Sequence, residues 1–223
     1  MKGKVFDAEM VQAILKGDKA QFREPLKKPF EVHPNGYITK PHGNERLVPY
    51  EPPYQVGDII YVKETWKIQS MSNFDKRIKF MFKAEPSGKL KETYVPNERY
   101  NALMKYECKN GWQPPLYMPK EAARIFLKIK DIKAQRVQDI TEDEVFKEGM
   151  VTDELEDMIQ GKEDMARGLK QSNVPVFETN YYREAFKNKW DIKYQSRGYE
   201  WNKNPWVWCI TFEKVEKPLH EEN

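Results

Sequence analysis

Cysteine and histidine are scarce in this chain. Two cysteines, Cys108 and Cys209, cannot make a disulfide framework. Cys209 falls in an apolar strand pattern, where a small core residue is expected. His33, His42 and His220 are scattered, and no His/Cys spacing points to a metal site. Long apolar runs are missing too. The N-terminal residues have no apolar leader core and no stretch approaches a membrane span, so a cytoplasmic protein with no membrane partner is expected. No cofactor motif stands out. A strong charge of one sign is also lacking: a formal net charge of +3 neither demands nucleic acid nor argues against it, because clustering decides. One cluster exists, Lys16, Lys19, Arg23, Lys27 and Lys28, which reads either as a solvated face or as a basic site.

What is present points to a folded chain. An aromatic content of 13% is too high for disorder, and 223 residues suit one domain, 1–223, with insertions at about 67–111 and 150–180. The stretch Tyr54-Gln55-Val56-Gly57-Asp58 to Lys63-Glu64-Thr65-Trp66 is the most informative. A Gly-Asp turn feeds a run of β-formers that closes on a carboxylate, a hydroxyl and an indole. A strand of that kind, read as Gly57–Trp66, carries polar cargo to a mouth or cleft.

Patterning supplies the other elements. Asp7 caps a short helix with Met10, Val11, Ile14 and Leu15 on its apolar face, and Gly17 ends it. Glu24 to Pro53 reads as an extended loop with one short strand at Tyr37-Ile38-Thr39. Arg77 to Ala84 alternates as a strand, and Pro86 to Gly111 reads as an insertion without evident chemistry. Arg124 to Val137 is a long strand whose change of parity at Ile132 predicts a bulge near Asp131. Thr141 and Glu144 form a capping box, with Ile140 and Val145 as a staple, for a helix ending at Gly149. Asp153–Lys170 is a charged helix, and Tyr182, Phe186 and Trp190 mark another. The last strand, Trp206 to Phe212, is apolar on both faces. Strands and helices do not alternate strictly, which favours an α+β fold with a small curved sheet or barrel.

Four blocks, in order, carry a family resemblance: Met10-Val11-Gln12-Ala13-Ile14-Leu15-Lys16-Gly17-Asp18-Lys19, Val56-Gly57-Asp58 through Lys63-Glu64-Thr65-Trp66, Met118-Pro119-Lys120-Glu121-Ala122-Ala123-Arg124-Ile125 continuing to Thr141, and Trp201-Asn202-Lys203-Asn204-Pro205-Trp206-Val207-Trp208. Together they resemble the ASCH domain of the PUA-like superfamily, in its phage and prophage branch. The resemblance implies an α+β fold, a PUA-like β-barrel with flanking helices, in the host cytoplasm if phage-encoded. It implies binding of RNA, single-stranded nucleic acid or a modified nucleoside in the barrel cleft. It also implies an alternative, since some small members are amidohydrolases acting on N4-acetylcytidine through a Lys, a Thr and a Glu. Carried onto this chain, the Lys is Lys19, the Glu is Glu148, and the nucleophilic Thr position holds Phe22, which has no nucleophile. The Arg that closes the motif falls on Glu24, with Arg23 beside it.

The binding residues expected from this reading are Lys19, Arg23, Glu64, Thr65, Trp66, Arg124 and Glu148, with Lys19 and Glu148 catalytic only if the protein is an enzyme. Trp66, Trp112 or Trp206 would give a base a flat face, the two glutamates would accept from an exocyclic amine, and the cations would meet phosphate. Plainer readings stand beside these. The tryptophans are core residues, Glu64 pairs with Arg124 to seal the barrel, and Glu148 is solvated surface. A structural or host-interaction protein without a ligand is the third class.

Overall fold

The structure is a computed structural model of the whole chain; it describes residues 1–35, 37–42, 46–85, 87–107, 111–150, 153–171 and 180–218. Cys108 and His220 lie outside the described residues. The elements begin with β1 (Lys2–Val5), α1 (Ala8–Lys16), β2 (Gln21–Pro25), β3 (Glu31–Val32), β4 (Ile38–His42) and β5 (Arg46–Pro49). There follow β6 (Ile59–Lys63), β7 (Trp66–Ser72), β8 (Arg77–Phe82), β9 (Lys91–Tyr94) and α2 (Asn97–Glu107). The chain closes with β10 (Phe126–Arg136), α3 (Glu142–Lys147), α4 (Asp153–Gln171), α5 (Tyr181–Tyr194) and β11 (Trp206–Val215). This is an α+β fold, and among the described strands the ladders form open sheets. No described helix is long and apolar enough to cross a membrane.

Two compact units are present. Unit 1 takes in the described parts of Met1–Gly17, Val56–Lys130 and Phe212–Asn223; unit 2 takes in those of Asp18–Gln55 and Asp131–Thr211. In unit 1, β1 runs parallel to β6, and the start of β10 pairs antiparallel with β6, Phe126 opposite Tyr61. The α1 helix has the two caps its sequence calls for. The Asp7 carboxylate accepts from the Met10 N–H, and Gly17 closes the helix at φ 97°, a conformation glycine adopts without a Cβ clash.

The segment read as an insertion has structure of its own. β7, β8 and β9 form an antiparallel sheet, and β8 buries Ile78, Phe80 and Phe82 on one face, as its alternation predicts. Tyr100 and Leu103 of α2 join them with Trp66 in one apolar cluster.

In unit 2, β2 pairs antiparallel with the first half of β11, and β3, β4 and β5 form a small meander. The α3 capping box is formed in both directions between Thr141 and Glu144. Phe186, Trp190 and Tyr194, one face of α5, pack with Val137, Val145, Trp201 and Val207.

Two expectations need correction. The Gly57–Trp66 strand is two strands, β6 and β7, broken at Glu64-Thr65. The Glu24–Pro53 stretch holds more than the one short strand expected at Tyr37-Ile38-Thr39: β2 ends in it at Pro25, and β3, β4 and β5 lie within it. β10, Phe126–Arg136, lies within the strand expected at Arg124–Val137, with Leu127 and Ile129 buried and Ile132 half-buried.

Candidate functional site

The register of β2 on β11 builds one face of unit 2. Gln21 lies opposite Thr211 and Arg23 opposite Cys209, and side chains two apart share a face. Lys19, of the same parity, forms an isolated bridge with Glu148, supported by the Ala20 N–H donating to the Lys147 carbonyl at 2.8 Å. Lys19, Gln21 and Arg23 are thus presented together, at 3%, 3% and 4% exposure. Phe22 has the opposite parity; it is buried edge-to-face against Tyr54 at a centroid distance of 6.2 Å. A hydroxyl at position 22 would point away from Lys19 rather than serve it.

The carboxylates come from the two ends of α3. Glu144 and Glu148 lie one turn apart, so both project from the same side of the helix. Two carboxylates so placed repel, and Arg23 is held between them. Its Nη2 donates to Glu144 Oε2 and its Nη1 to Glu148 Oε1, each at 2.7 Å. Outward, Lys133 Nζ donates to Glu144 Oε1 at 2.6 Å. Inward, Lys19 Nζ donates to Glu148 Oε2 at 3.1 Å and to its carbonyl at 2.6 Å. The result is an alternating row, Lys133–Glu144–Arg23–Glu148–Lys19, with three cations to two carboxylates.

Neighbours hold the row in place. Gln21 accepts from Arg23 Nη1 at 2.9 Å and donates to Thr211 Oγ1 at 3.1 Å. The Tyr194 hydroxyl donates to the Arg23 carbonyl at 3.2 Å, and the Phe186 ring lies 5.8 Å from the guanidinium carbon. One donor is left over: Arg23 Nε is buried with no hydrogen-bond partner among the described residues. Burial pushes the Cys209 thiol up to about 12, with Arg23 pulling the other way, so this sulfur is neutral and inert near neutral pH.

Burial opposes ionisation of Glu144, but the bond from Lys133 and the charge of Arg23 outweigh it and hold its carboxyl below the ordinary 4.5. The unfolded chain therefore takes up this proton first as acid is added. The stabilisation from Glu144 is complete above its ordinary value and is lost as pH falls through the folded one. Unfolding titrations should show wild-type stability falling with acid below about pH 4.5. In Glu144→Gln that fall should be shallower; equal slopes would remove Glu144 from the acid response.

Unit 1 holds the other expected residues. Arg124 grips Glu64 with two parallel bonds, Nε to Oε1 at 2.8 Å and Nη2 to Oε2 at 2.9 Å. Its Nη1 donates to Glu85 Oε2 at 2.6 Å, and the guanidinium carbon lies 4.4 Å from the Phe82 centroid. Glu64 is 1% exposed. Burial works against the Arg124 charge, yet the two carboxylates outweigh it and hold its proton more tightly than usual. Thr65 is half-buried, and its carbonyl accepts from the Lys83 N–H.

Trp66 does not offer a stacking face. It opens β7 opposite Phe82, bridges Gln113, and is 0% exposed against Phe80 and Tyr106. Trp206 is half-buried under the Arg136 guanidinium, and Trp112 is exposed.

Of the expected residues, Lys19, Arg23 and Glu148 meet in unit 2. Glu64 and Arg124 meet in unit 1, with Thr65 and Trp66 next in the chain to Glu64. The sequence reading missed Gln21, Lys133 and Thr211, and saw Glu144 only as a cap. One signal was available: two glutamates one helical turn apart are unfavourable unless cations meet them.

No family model and no curated protein matches the chain. Among solved structures it is similar to protein EF3133 from Enterococcus faecalis V583, described under DUF984. That match covers all of this chain and 86% of that one, at 8% identity and a TM-score of 0.41.

Proposed function

We propose that the protein is a nucleoside- or nucleic-acid-binding protein of ASCH type, a PUA-like barrel that works in the cytoplasm of its host. Its ligand contacts the buried charged row of unit 2. The observation that carries this reading is the row itself. Burying charges is costly, and neighbouring hydrogen bonds fix the geometry of this one without using all of its capacity. A carboxylate offers about four lone-pair sites. Arg23 takes one on Glu148 and Lys19 another, which leaves acceptors for the exocyclic amine of a cytosine-like base. Arg23 Nε is a donor still to be met. Lys19 and Glu148, the pair carried over from the family, share a hydrogen bond, and this supports placing the ligand there.

Amide hydrolysis is the second reading. The observation in its favour is Thr211, whose hydroxyl lies on the same strand face as Gln21 and Arg23, whereas position 22 has none. Binding without turnover is the stronger reading, because Lys19 Nζ faces an acceptor on two sides, the geometry of a donor rather than a base.

The test is an equilibrium binding screen with ribonucleosides, N4-acetylcytidine included, and short RNAs at low and high salt, with product detection alongside. Binding should weaken about tenfold or more in Glu148→Gln, which keeps the side chain's shape but removes its charge. Turnover that Lys19→Ala abolishes would establish the enzyme. No affinity for any nucleoside or oligomer would leave a structural or host-interaction role.

A further inference from the structure

A second surface lies wholly in unit 1, on the segment that runs beside the break between β6 and β7. Trp66 and Gln113 exchange both backbone hydrogen bonds, which fixes Gln113 alongside the first residue of β7. The two prolines that follow, Pro114 and Pro115, set φ and lead into a 3-10 turn ending at Tyr117. A rigid segment held in this way has no evident need to expose large side chains, yet it exposes three. Trp112 is 41% exposed, Leu116 64% and Tyr117 58%.

Two lysines frame them. Lys67 Nζ lies 5.1 Å from the Trp112 ring centroid. Lys63 Nζ donates to the Leu116 carbonyl at 2.7 Å. Among the described residues neither lysine forms an ion pair with a carboxylate, and three acids of this unit have other partners: Glu64 and Glu85 bond to Arg124, and Glu121 to Arg99. Aromatic rings and unneutralised cations are thus left together on a fixed backbone.

We infer that Trp112 and Tyr117, with Lys63 and Lys67, form a stacking surface for single-stranded nucleic acid. Every base has a π-face, so two exposed rings accept successive unpaired bases without reading their edges, and the lysines meet the backbone phosphates between them. A duplex, whose bases are already stacked on one another, cannot use the rings. This surface does not depend on the charged row of unit 2, and the two fail separately.

The experiment is fluorescence anisotropy of the full-length protein with a labelled short oligo(dT), the matching oligo(U) and a duplex of equal length, over a range of salt. Wild type should bind the single strands more tightly than the duplex. Trp112→Ala and Tyr117→Ala should each weaken single-strand binding by about tenfold. Lys63→Gln and Lys67→Gln should each lower the slope of log affinity against log salt by about 0.7. These half-exposed positions leave the core intact, and circular dichroism of each variant checks that the fold is kept. Nucleoside binding should be unchanged in Lys63→Gln and Lys67→Gln, which take no part in the charged row of unit 2. The inference is overturned by a wild type that ignores oligonucleotides, including one whose patch takes up a protein instead. It is equally overturned by a duplex preference, or by ring and lysine variants that bind as wild type does.

Discussion

Glu148→Ala should lower the free energy of unfolding by about 3–5 kcal/mol, the cost of breaking a buried ion pair by removing one partner. The position of Glu148 in the row explains the size. Lys19 on one side and Arg23 on the other are both buried and both bonded to it. Truncation leaves the Lys19 ammonium with only the residue's carbonyl from this contact, and it takes one of the two carboxylates from Arg23. Water, which would otherwise compensate, reaches neither cation easily. The end of the row behaves differently. The Lys133 side chain is half in solvent, so Lys133→Ala should cost no more than about 1 kcal/mol although it too breaks a 2.6 Å bond to a glutamate. Urea denaturation of the two variants with unchanged m-values decides the matter. If Glu148→Ala costs no more than Lys133→Ala, the row is not a buried electrostatic unit, and the proposed nucleoside site loses its physical basis.

The asymmetry between those residues also shows what the sequence could and could not disclose. Local chemistry was legible. Asp7, Gly17, Thr141 and Glu144 announce helix ends within a few residues of themselves, and each cap is formed as read. The four-residue spacing of Tyr182, Phe186 and Trp190 is a helical face, and α5 buries the last two. Long-range pairing was not legible. β1 reads Lys-Gly-Lys-Val, which lacks a run of β-formers; it is a strand because β6 lies beside it. β2 escaped notice because its inward positions are Gln21 and Arg23, polar where a core strand should be apolar. Those side chains turn inward only because Glu144, Glu148 and Thr211 are there to receive them, and these lie more than a hundred residues further along the chain. The family pattern pointed to Lys19 and Glu148 but not to Lys133 or Gln21, whose roles exist only through spatial neighbours. Trp66 was misread for the opposite reason. Its polar neighbours in sequence, Glu64 and Thr65, suggested an exposed strand end, while Phe80 and Tyr106 enclose the ring in space.

Glu64 was read both as ligand-facing and as sealed to Arg124, and Arg124→Ala separates these roles. The guanidinium satisfies both oxygens of a carboxylate that is 1% exposed. Its removal strands that charge and should cost about 3–5 kcal/mol at neutral pH. Arg124→Lys should recover only part of this, because an ammonium cannot bond both oxygens in a planar fork. The pH dependence tells lost charge from lost packing. Ser87 and, after it, Arg124 hold the Glu85 carboxyl below its ordinary 4.5, so wild type loses that stabilisation as pH falls through the folded value. Arg124→Ala lacks the part that Arg124 supplies, and its deficit relative to wild type should therefore shrink as pH falls below about 4.5. A deficit that stays constant with pH would mean that Arg124 acts mainly through its stacking on Phe82. Glu64 would then be free to take a ligand's amine, and the sealing role would be withdrawn.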